Sequence, residues 1–371
     1  MRILITNAFL ESYTGTEVAV RDMALELKRH GHDPVIYSPR LGAIAREVAN
    51  AGIVTTDDIR SVATPPDIVH GQHHAQVIEA LLQFPDTPAI YVCHDATSPL
   101  DTPFAFPRIL RWVAVDLPCR KRIEATAGIS PQRIEVIENA VDLNRFQARP
   151  DLPAVPKRAL AFSNSRRQVP AVRRACWDTG LEVSALGIGT KTAVPNPQSI
   201  LPQYDIVFAK ARCALEAMAV GCAVVLCDFA GVGPMVTSAN FEQLRRMNFG
   251  QGALLNPLHP SFVAREIVRY DPEDAAEVHR RARNEAGLDA AVRRWTSLYA
   301  DVVAEFRSCP RESSSAYTAE FHALAEYLRA WSYQGRVRWE HGELEKLQKI
   351  PAFGNAISFV ARKALGRLTR T

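Results

Sequence analysis

Seven cysteines stand among the 371 residues: Cys93, Cys119, Cys176, Cys213, Cys222, Cys227 and Cys309. The number is odd, the spacing is irregular and no Cys-x-x-Cys occurs. That excludes a disulfide scaffold and fits buried thiols in a reduced compartment. No apolar run reaches the about 18 residues that span a bilayer. The opening Met1–Thr6 reads as a strand and not as a cleaved leader. No Gly-x-x-x-x-Gly-Lys-Ser/Thr is present, which argues against a P-loop enzyme. Gly187-Ile-Gly189 lacks the third glycine and the acidic partner of a dinucleotide fingerprint, which counts against an NAD-dependent oxidoreductase. The formal charge of +4 is too small for a dedicated nucleic-acid binder. Residues 317–371 hold nine basic and five acidic residues, so the remainder of the chain is balanced.

What is present is ordinary globular composition, with 47% hydrophobic and 23% charged residues. The length predicts two domains of about 150 residues each. Apolar runs alternate with amphipathic stretches from the start. Strands are expected at Arg2–Asn7, Pro34–Ser38, Asp67–His70 and Ala89–His94. Helices are expected at Val18–His30, Leu41–Ala51 and His74–Gln83, the first two ended by Gly31 and Gly52, with Gly15–Glu17 in a loop. Residues 147–157 contain three prolines and read as a linker. The alternation then restarts with strands at Ala159–Ser163, Leu181–Leu186, Tyr204–Ala209 and Ala223–Asp228, and helices at Val169–Thr179 and Cys213–Val220. Asp274–Phe306 reads as one helical stretch, and further helices are expected over 317–349 and 350–370. This is the pattern of two doubly wound parallel sheets in series, whose ligands sit at the C-terminal strand edges.

The segment Lys210 to Leu226 carries the sharpest chemical signal. A helix starting near Cys213 bears Glu216 on its second turn, ends at Gly221 and runs into an apolar strand. The N–H groups and dipole of a helix N-terminus suit a diphosphate. Lys210 and Arg212 add positive charge at the same mouth, and Glu216 is placed to accept hydrogen bonds from ribose hydroxyls. Taken alone, the segment also reads as a surface helix with ordinary charges. His70, His73 and His74 form a second cluster. They offer metal-ligand chemistry if they converge, although lining a cleft or capping a helix is the favoured reading. Cys213 and Cys222, with no activating histidine nearby in sequence, read as packing residues.

Glu216-Ala-Met-Ala-Val-Gly221 resembles the nucleotide-sugar motif of the family-four glycosyltransferases, retaining enzymes of the GT-B fold. The resemblance continues in order through Gly15-Thr16-Glu17, Gly31-His32, Pro65–His70, Val92-Cys-His-Asp95, Ile137–Asp142 with Phe146, and Trp295–Tyr299. It implies an α/β GT-B architecture of two Rossmann-like domains facing a cleft. Residues 1–150 would form the acceptor-side domain and 151–290 the nucleotide-sugar domain. A crossover helix at 291–306 and a helical extension at 317–371 would follow.

By the same resemblance, Glu216 would hold the donor ribose, Gly15 and Thr16 would sit beside the donor diphosphate or the acceptor, and His94 would contact the transferred sugar near its reacting centre. The family's basic strand-loop stands here as Ser163–Arg167, a departure from its pattern, so the diphosphate cation is expected from Lys210 and Arg212, or from Arg166 or Arg167. No metal and no cofactor beyond the nucleotide sugar is implied. Phe208 stands where the family has its first glutamate, and Ala209 and Ala211 replace its usual glycines. The implied activity is transfer of a hexose, with retention, to a glycan or lipid-linked acceptor in envelope or extracellular polysaccharide synthesis. The alternative is an inactive GT-B scaffold that partners another transferase. The tail 350–371 has an apolar face and only basic charges, so it suits either an anionic membrane surface or packing on its own domain. A cytoplasmic protein, peripheral at the inner membrane face, is the matching expectation.

Overall fold

A computed structural model describes residues 1–308 and 317–332. Met1–Pro310 form one compact unit, and Arg311–Thr371 form another, of which residues 317–332 are described and helical. The tail 350–371 lies outside the described residues.

The first half of the large unit runs β1 (Arg2–Thr6), α1 (Gly15–Arg29), β2 (Asp33–Tyr37), α2 (Ala43–Asn50), β3 (Val54–Thr56), β4 (Ile68–Gln72), α3 (His74–Gln83), β5 (Ala89–Cys93), β6 (Ile109–Ala114), α4 (Leu117–Glu124) and β7 (Ile134–Val136). Its sheet has the order β3-β2-β1-β4-β5-β6-β7, and every pair is parallel. Parallel strands covered on both faces need continuous apolar runs, and all five residues of β5 are buried.

The second half runs β8 (Arg158–Phe162), α5 (Val169–Asp178), β9 (Glu182–Leu186), β10 (Ile206–Ala209), α6 (Ala211–Val220), β11 (Ala223–Asp228), β12 (Gly231–Met235), α7 (Phe241–Arg246), α8 (Pro260–Ile267), α9 (Pro272–Glu285) and α10 (Leu288–Ser308). The order is β12-β11-β10-β8-β9, with β12 antiparallel to β11. In each sheet the strand order reverses beside the first strand, between β1 and β4 and between β8 and β10. The loops after those strands diverge and leave a crevice between them.

Two local expectations are corrected. Gly15–Glu17 belong to the first turn of α1 and not to the preceding loop. The Glu17 carboxylate accepts from the Ser12 N–H at 2.6 Å, which closes the chain onto the helix start early. The expected helix over 274–306 is two helices. Between them the chain pairs with the segment after β7: Val141 N–H donates to Ala286 O, and Leu288 N–H donates to Val141 O, each at 2.9 Å. Beyond that break, α10 packs against α1, β5 and β6 of the first half.

The short strands β6, β7 and β12 were not legible in the sequence. The apolar run of β6 is interrupted by Arg111, and Gly231-Val-Gly-Pro-Met235 has the composition of a turn.

Candidate active site

The crevice is built where the switch-point loops of the two sheets meet. Tyr13, Thr14 and Gly15 come from the loop after β1 and the start of α1, Asn164 from the loop after β8, and Arg212, Cys213 and Glu216 from α6. Its volume is ≈ 90 Å³, below the roughly 300 Å³ at which small-molecule pockets begin. A nucleotide would therefore enter only with movement of the lining side chains. At the base, Gly187 has φ +151°, and a Cβ there would lie 1.9 Å from Ser163 O. A Cβ on Gly189 would lie 2.7 Å from Asn164 O. The Gly-x-Gly pair thus lets β9 dock the loop after β8.

The N-terminus of α6 faces this crevice. Ala211 N–H donates to Phe249 O at 2.8 Å, and Ala214 N–H to Lys210 O at 3.4 Å. The N–H groups of Arg212 and Cys213 begin the helix between them, at the crevice wall. Ala211 itself sits at φ 50°, a left-handed conformation that favours glycine. One turn on, Glu216 is 5% exposed. Burial, reinforced by nearby Asp22, pushes its carboxyl pKa up against the pull of Arg212.

Arg212 lies between the two halves of the molecule. Its Nε donates to Glu216 Oε1 at 2.9 Å, and its Nη2 is ion-paired with Asp22 on α1. Burial lowers its pKa, but Asp22 and Glu216 outweigh that and raise it overall. Asp22 also pairs with Arg21 at 2.6 Å and lies 4.0 Å from Arg145. Arg21 reaches on to Glu47 at 3.4 Å. Three guanidiniums and three carboxylates thus form one network beside the crevice, buried except at its outer end, Glu47. Lys210 is anchored outside it, with Nζ 2.7 Å from Asp228 Oδ2 and 5.3 Å from the centre of the Phe229 ring.

The other sequence-derived candidates separate. Gly15 lines the crevice, whereas Thr16 is half-buried and does not. Arg166 is exposed in an outer groove between α5 and β9. Phe208 is 0% exposed and packs on the core face that also holds Val172 and Val263, so that position belongs to the core and not to the crevice. His94 lines a second cavity of ≈ 40 Å³ together with His70, Gln72, Trp295 and, from the crevice side, Arg212. Burial pulls the His94 pKa down to about 3, so its imidazole is neutral near pH 7.

The three clustered histidines do not converge. His70 Nδ1 is 2.6 Å from the Tyr299 hydroxyl, and His73 Nδ1 accepts from Ala8 N–H at 2.9 Å. The ligand-type side chains that do converge, among the described residues, are Glu26, His30 and Asp289. There Arg29 and Arg293 already pair with the two carboxylates. Burial pushes the Cys213 thiol up, and the Cys222 thiol to about 12, so neither is a ready nucleophile. Sequence reasoning missed Arg21, Asp22 and Arg145. Arg21 and Asp22 sit among the ordinary charges of an amphipathic helix, with nothing in the pattern to set them apart.

Comparison with known proteins matches this architecture. Residues 13–145, from the crevice residue Tyr13 to Arg145, match the model for Glycosyltransferase Family 4. Solved structures share the whole two-sheet arrangement. A crystal structure of HepE from Anabaena in complex with UDP and glucose has a TM-score of 0.57 at 14% identity, covering 81% of this chain and 99% of that one. A glycosyltransferase from Rickettsia africae has a TM-score of 0.55 at 14% identity, covering 81% of this chain and 98% of that one. The fold is GT-B. WaaG, a glycosyltransferase involved in lipopolysaccharide biosynthesis, shares this GT-B fold at a TM-score of 0.51 and 10% identity, covering 80% of this chain and 99% of that one. Comparison with curated proteins found no match. In GT-B terms, the crevice lies between the two Rossmann-like halves, and α10 is the helix that returns to the first half.

Proposed function

We propose that the protein is a nucleotide-sugar-dependent glycosyltransferase that moves a hexose, with retention, to a glycan or lipid-linked acceptor. The observation that carries this is the buried carboxylate of Glu216, one turn inside a helix whose N-terminus faces the crevice between two Rossmann-like halves. The helix N-terminus suits the diphosphate, and Glu216 suits the ribose diol. The family match over residues 13–145 and the GT-B likeness support the same reading.

In this reading Arg212 turns from Glu216 toward the phosphates when nucleotide enters, and Gly15 lets the backbone approach them. Lys210 and Arg166 supply more distant positive charge, and His94 positions the sugar. The acceptor hydroxyl loses its proton to the leaving diphosphate oxygen as the new glycosidic bond forms and the sugar–phosphate bond breaks. Stabilising that diphosphate is the main electrostatic task. The proposal needs no metal and no further cofactor.

Envelope or extracellular polysaccharide synthesis, on the cytoplasmic side of a membrane, is the setting that fits such acceptors. No helix among the described residues is long and apolar enough to cross a membrane. Peripheral attachment through residues 350–371 is a separate part of the proposal, and liposome co-sedimentation with and without them tests it.

Isothermal titration with UDP, GDP, ADP and CMP tests the central reading. Micromolar binding of one nucleotide, lost in Glu216→Ala, is expected. No binding of any of the four overturns it. The pairing of Arg212 on Glu216 favours one alternative, an inactive GT-B scaffold that partners another transferase. Nucleotide binding with neither product nor slow donor hydrolysis is the result that selects the scaffold.

A further inference from the structure

The cavity beside His94 holds an anomaly that the nucleotide crevice does not explain. Two of the residues that line it each carry a buried polar atom without a hydrogen-bond partner, His94 Nε2 and Gln72 Oε1. Buried polar atoms are nearly always paired, so two orphans on one cavity point to a ligand group that completes them.

Gln72 is held rigidly for such a role. It ends β4 and is 2% exposed. Its backbone is clamped by Thr6, whose hydroxyl donates to Gln72 O at 2.9 Å and accepts from Gln72 N–H at 3.0 Å. Its side-chain nitrogen lies 3.4 Å from His70 Nε2. His70 Nδ1 in turn meets the Tyr299 hydroxyl at 2.6 Å. Burial alone pulls the His70 pKa down to about 3, so this imidazole is neutral and carries one ring proton. If Tyr299 donates to Nδ1, that proton sits on Nε2 and faces Gln72. The amide then turns its oxygen to His70 and its NH₂ to the cavity. Either amide orientation leaves one polar atom toward the cavity, and a sugar hydroxyl can both give and accept. The volume of ≈ 40 Å³ suits one hydroxyl or hydroxymethyl arm and not a pyranose ring. Arg212 lines both this cavity and the crevice, so the two are neighbours across one side chain.

We propose that Gln72, anchored through His70 by Tyr299, is a specificity-determining residue that reads one hydroxyl-bearing arm of the transferred sugar alongside His94. This rests on the glycosyltransferase reading and adds to it the residue that selects the sugar.

The test uses the full chain. Whichever of UDP-glucose, UDP-N-acetylglucosamine and GDP-mannose the wild type binds most tightly is compared with its monodeoxy analogues, by titration and by initial rates. The wild type is expected to reject one deoxy analogue by about ten- to a hundredfold, the range of one buried hydrogen bond. Gln72→Leu is expected to lose that discrimination while the affinity for the bare nucleoside diphosphate stays within about twofold. Tyr299→Phe, which keeps the ring and removes only the anchoring hydroxyl, is expected to lose part of it. A folded Gln72→Leu protein that discriminates as the wild type does would mean that the cavity holds only ordered water, and that overturns the assignment. Should Gln72→Leu fail to fold, unchanged discrimination in Tyr299→Phe overturns it equally. A wild type that binds bare nucleotide but no nucleotide sugar overturns the Gln72 assignment and leaves the crevice reading standing. A wild type that binds neither overturns both.

Discussion

Two neighbouring regions of this molecule solve the burial of polar groups in opposite ways. The network around Glu216 holds full charges and balances them, with Arg21, Arg145 and Arg212 set against Asp22, Glu216 and the half-exposed Glu47. The cavity around His94 buries groups that have given up their charge, with His70 and His94 both held near a pKa of about 3 by burial. Arg212 borders both. Paired charges are sensitive to the loss of one partner, because the survivor stays buried alone. Neutral imidazoles are sensitive to acid, because protonation puts an unpaired charge in the same place. The first arrangement suits a site that must receive a diphosphate and a ribose. The second suits uncharged hydroxyls.

The difference can be broken most directly at Asp22. Asp22→Ala leaves Arg212 with Glu216 alone and Arg21 with Glu47 alone, and we expect a loss of up to about 3 kcal/mol of stability, read by urea unfolding. Adding Arg212→Met should cost less than the sum of the two single changes. Additive costs would show that the network does not act as a unit.

Acid should attack the other region. A histidine whose folded pKa lies below its unfolded value binds fewer protons folded than unfolded. Its stabilising contribution is therefore present above the unfolded pKa of 6.5 and is lost as pH falls toward about 3 for His70 and His94 and about 4 for His73. Asp101, raised to about 6 by burial, opposes this below pH 6. Glu17, Asp116 and Glu216, also raised by burial, oppose it in the same direction, so the share of one histidine is read by substituting it. His70→Asn should lower the slope of stability against pH by up to about 1.4 kcal/mol per pH unit, one proton equivalent. An unchanged slope in thermal melts at stepped pH would remove His70 from the account.

The smallest effect is expected at Ala211, where the helix that carries Glu216 starts in a left-handed conformation. Ala211→Gly should stabilise the protein by up to about 1 kcal/mol in chemical denaturation, since glycine pays no Cβ penalty there. A destabilised variant would mean that the alanine methyl packs usefully despite its backbone.

Much of this molecule follows from local pattern. Short continuous apolar runs such as Ala89–Cys93 and Ala223–Cys227 fit strands buried on both faces, and their alternation with amphipathic helices specifies a doubly wound fold. The helix that bears Glu216 was readable for the same reason, because periodicity acts within a few residues, while the reading of Glu216 itself rested on the family resemblance. His94 was readable as the residue that follows a buried strand.

Pairing between distant segments was decided only in three dimensions. Arg212 and Lys210 looked alike in the sequence, two cations at one helix mouth. The fold gives Arg212 to Asp22 on α1, 190 residues away, and Lys210 to Asp228. Phe208 looked like a lost site residue, yet it occupies a core position, because strand alternation turns it to the face opposite α6. Gln72 carried no signal, and Tyr299 only that of the Trp295–Tyr299 resemblance; their partnership through His70 spans 229 residues between His70 and Tyr299. Local chemistry follows from neighbours along the chain. Which charge is cancelled, and which polar atom is left to meet a substrate, depends on neighbours in space.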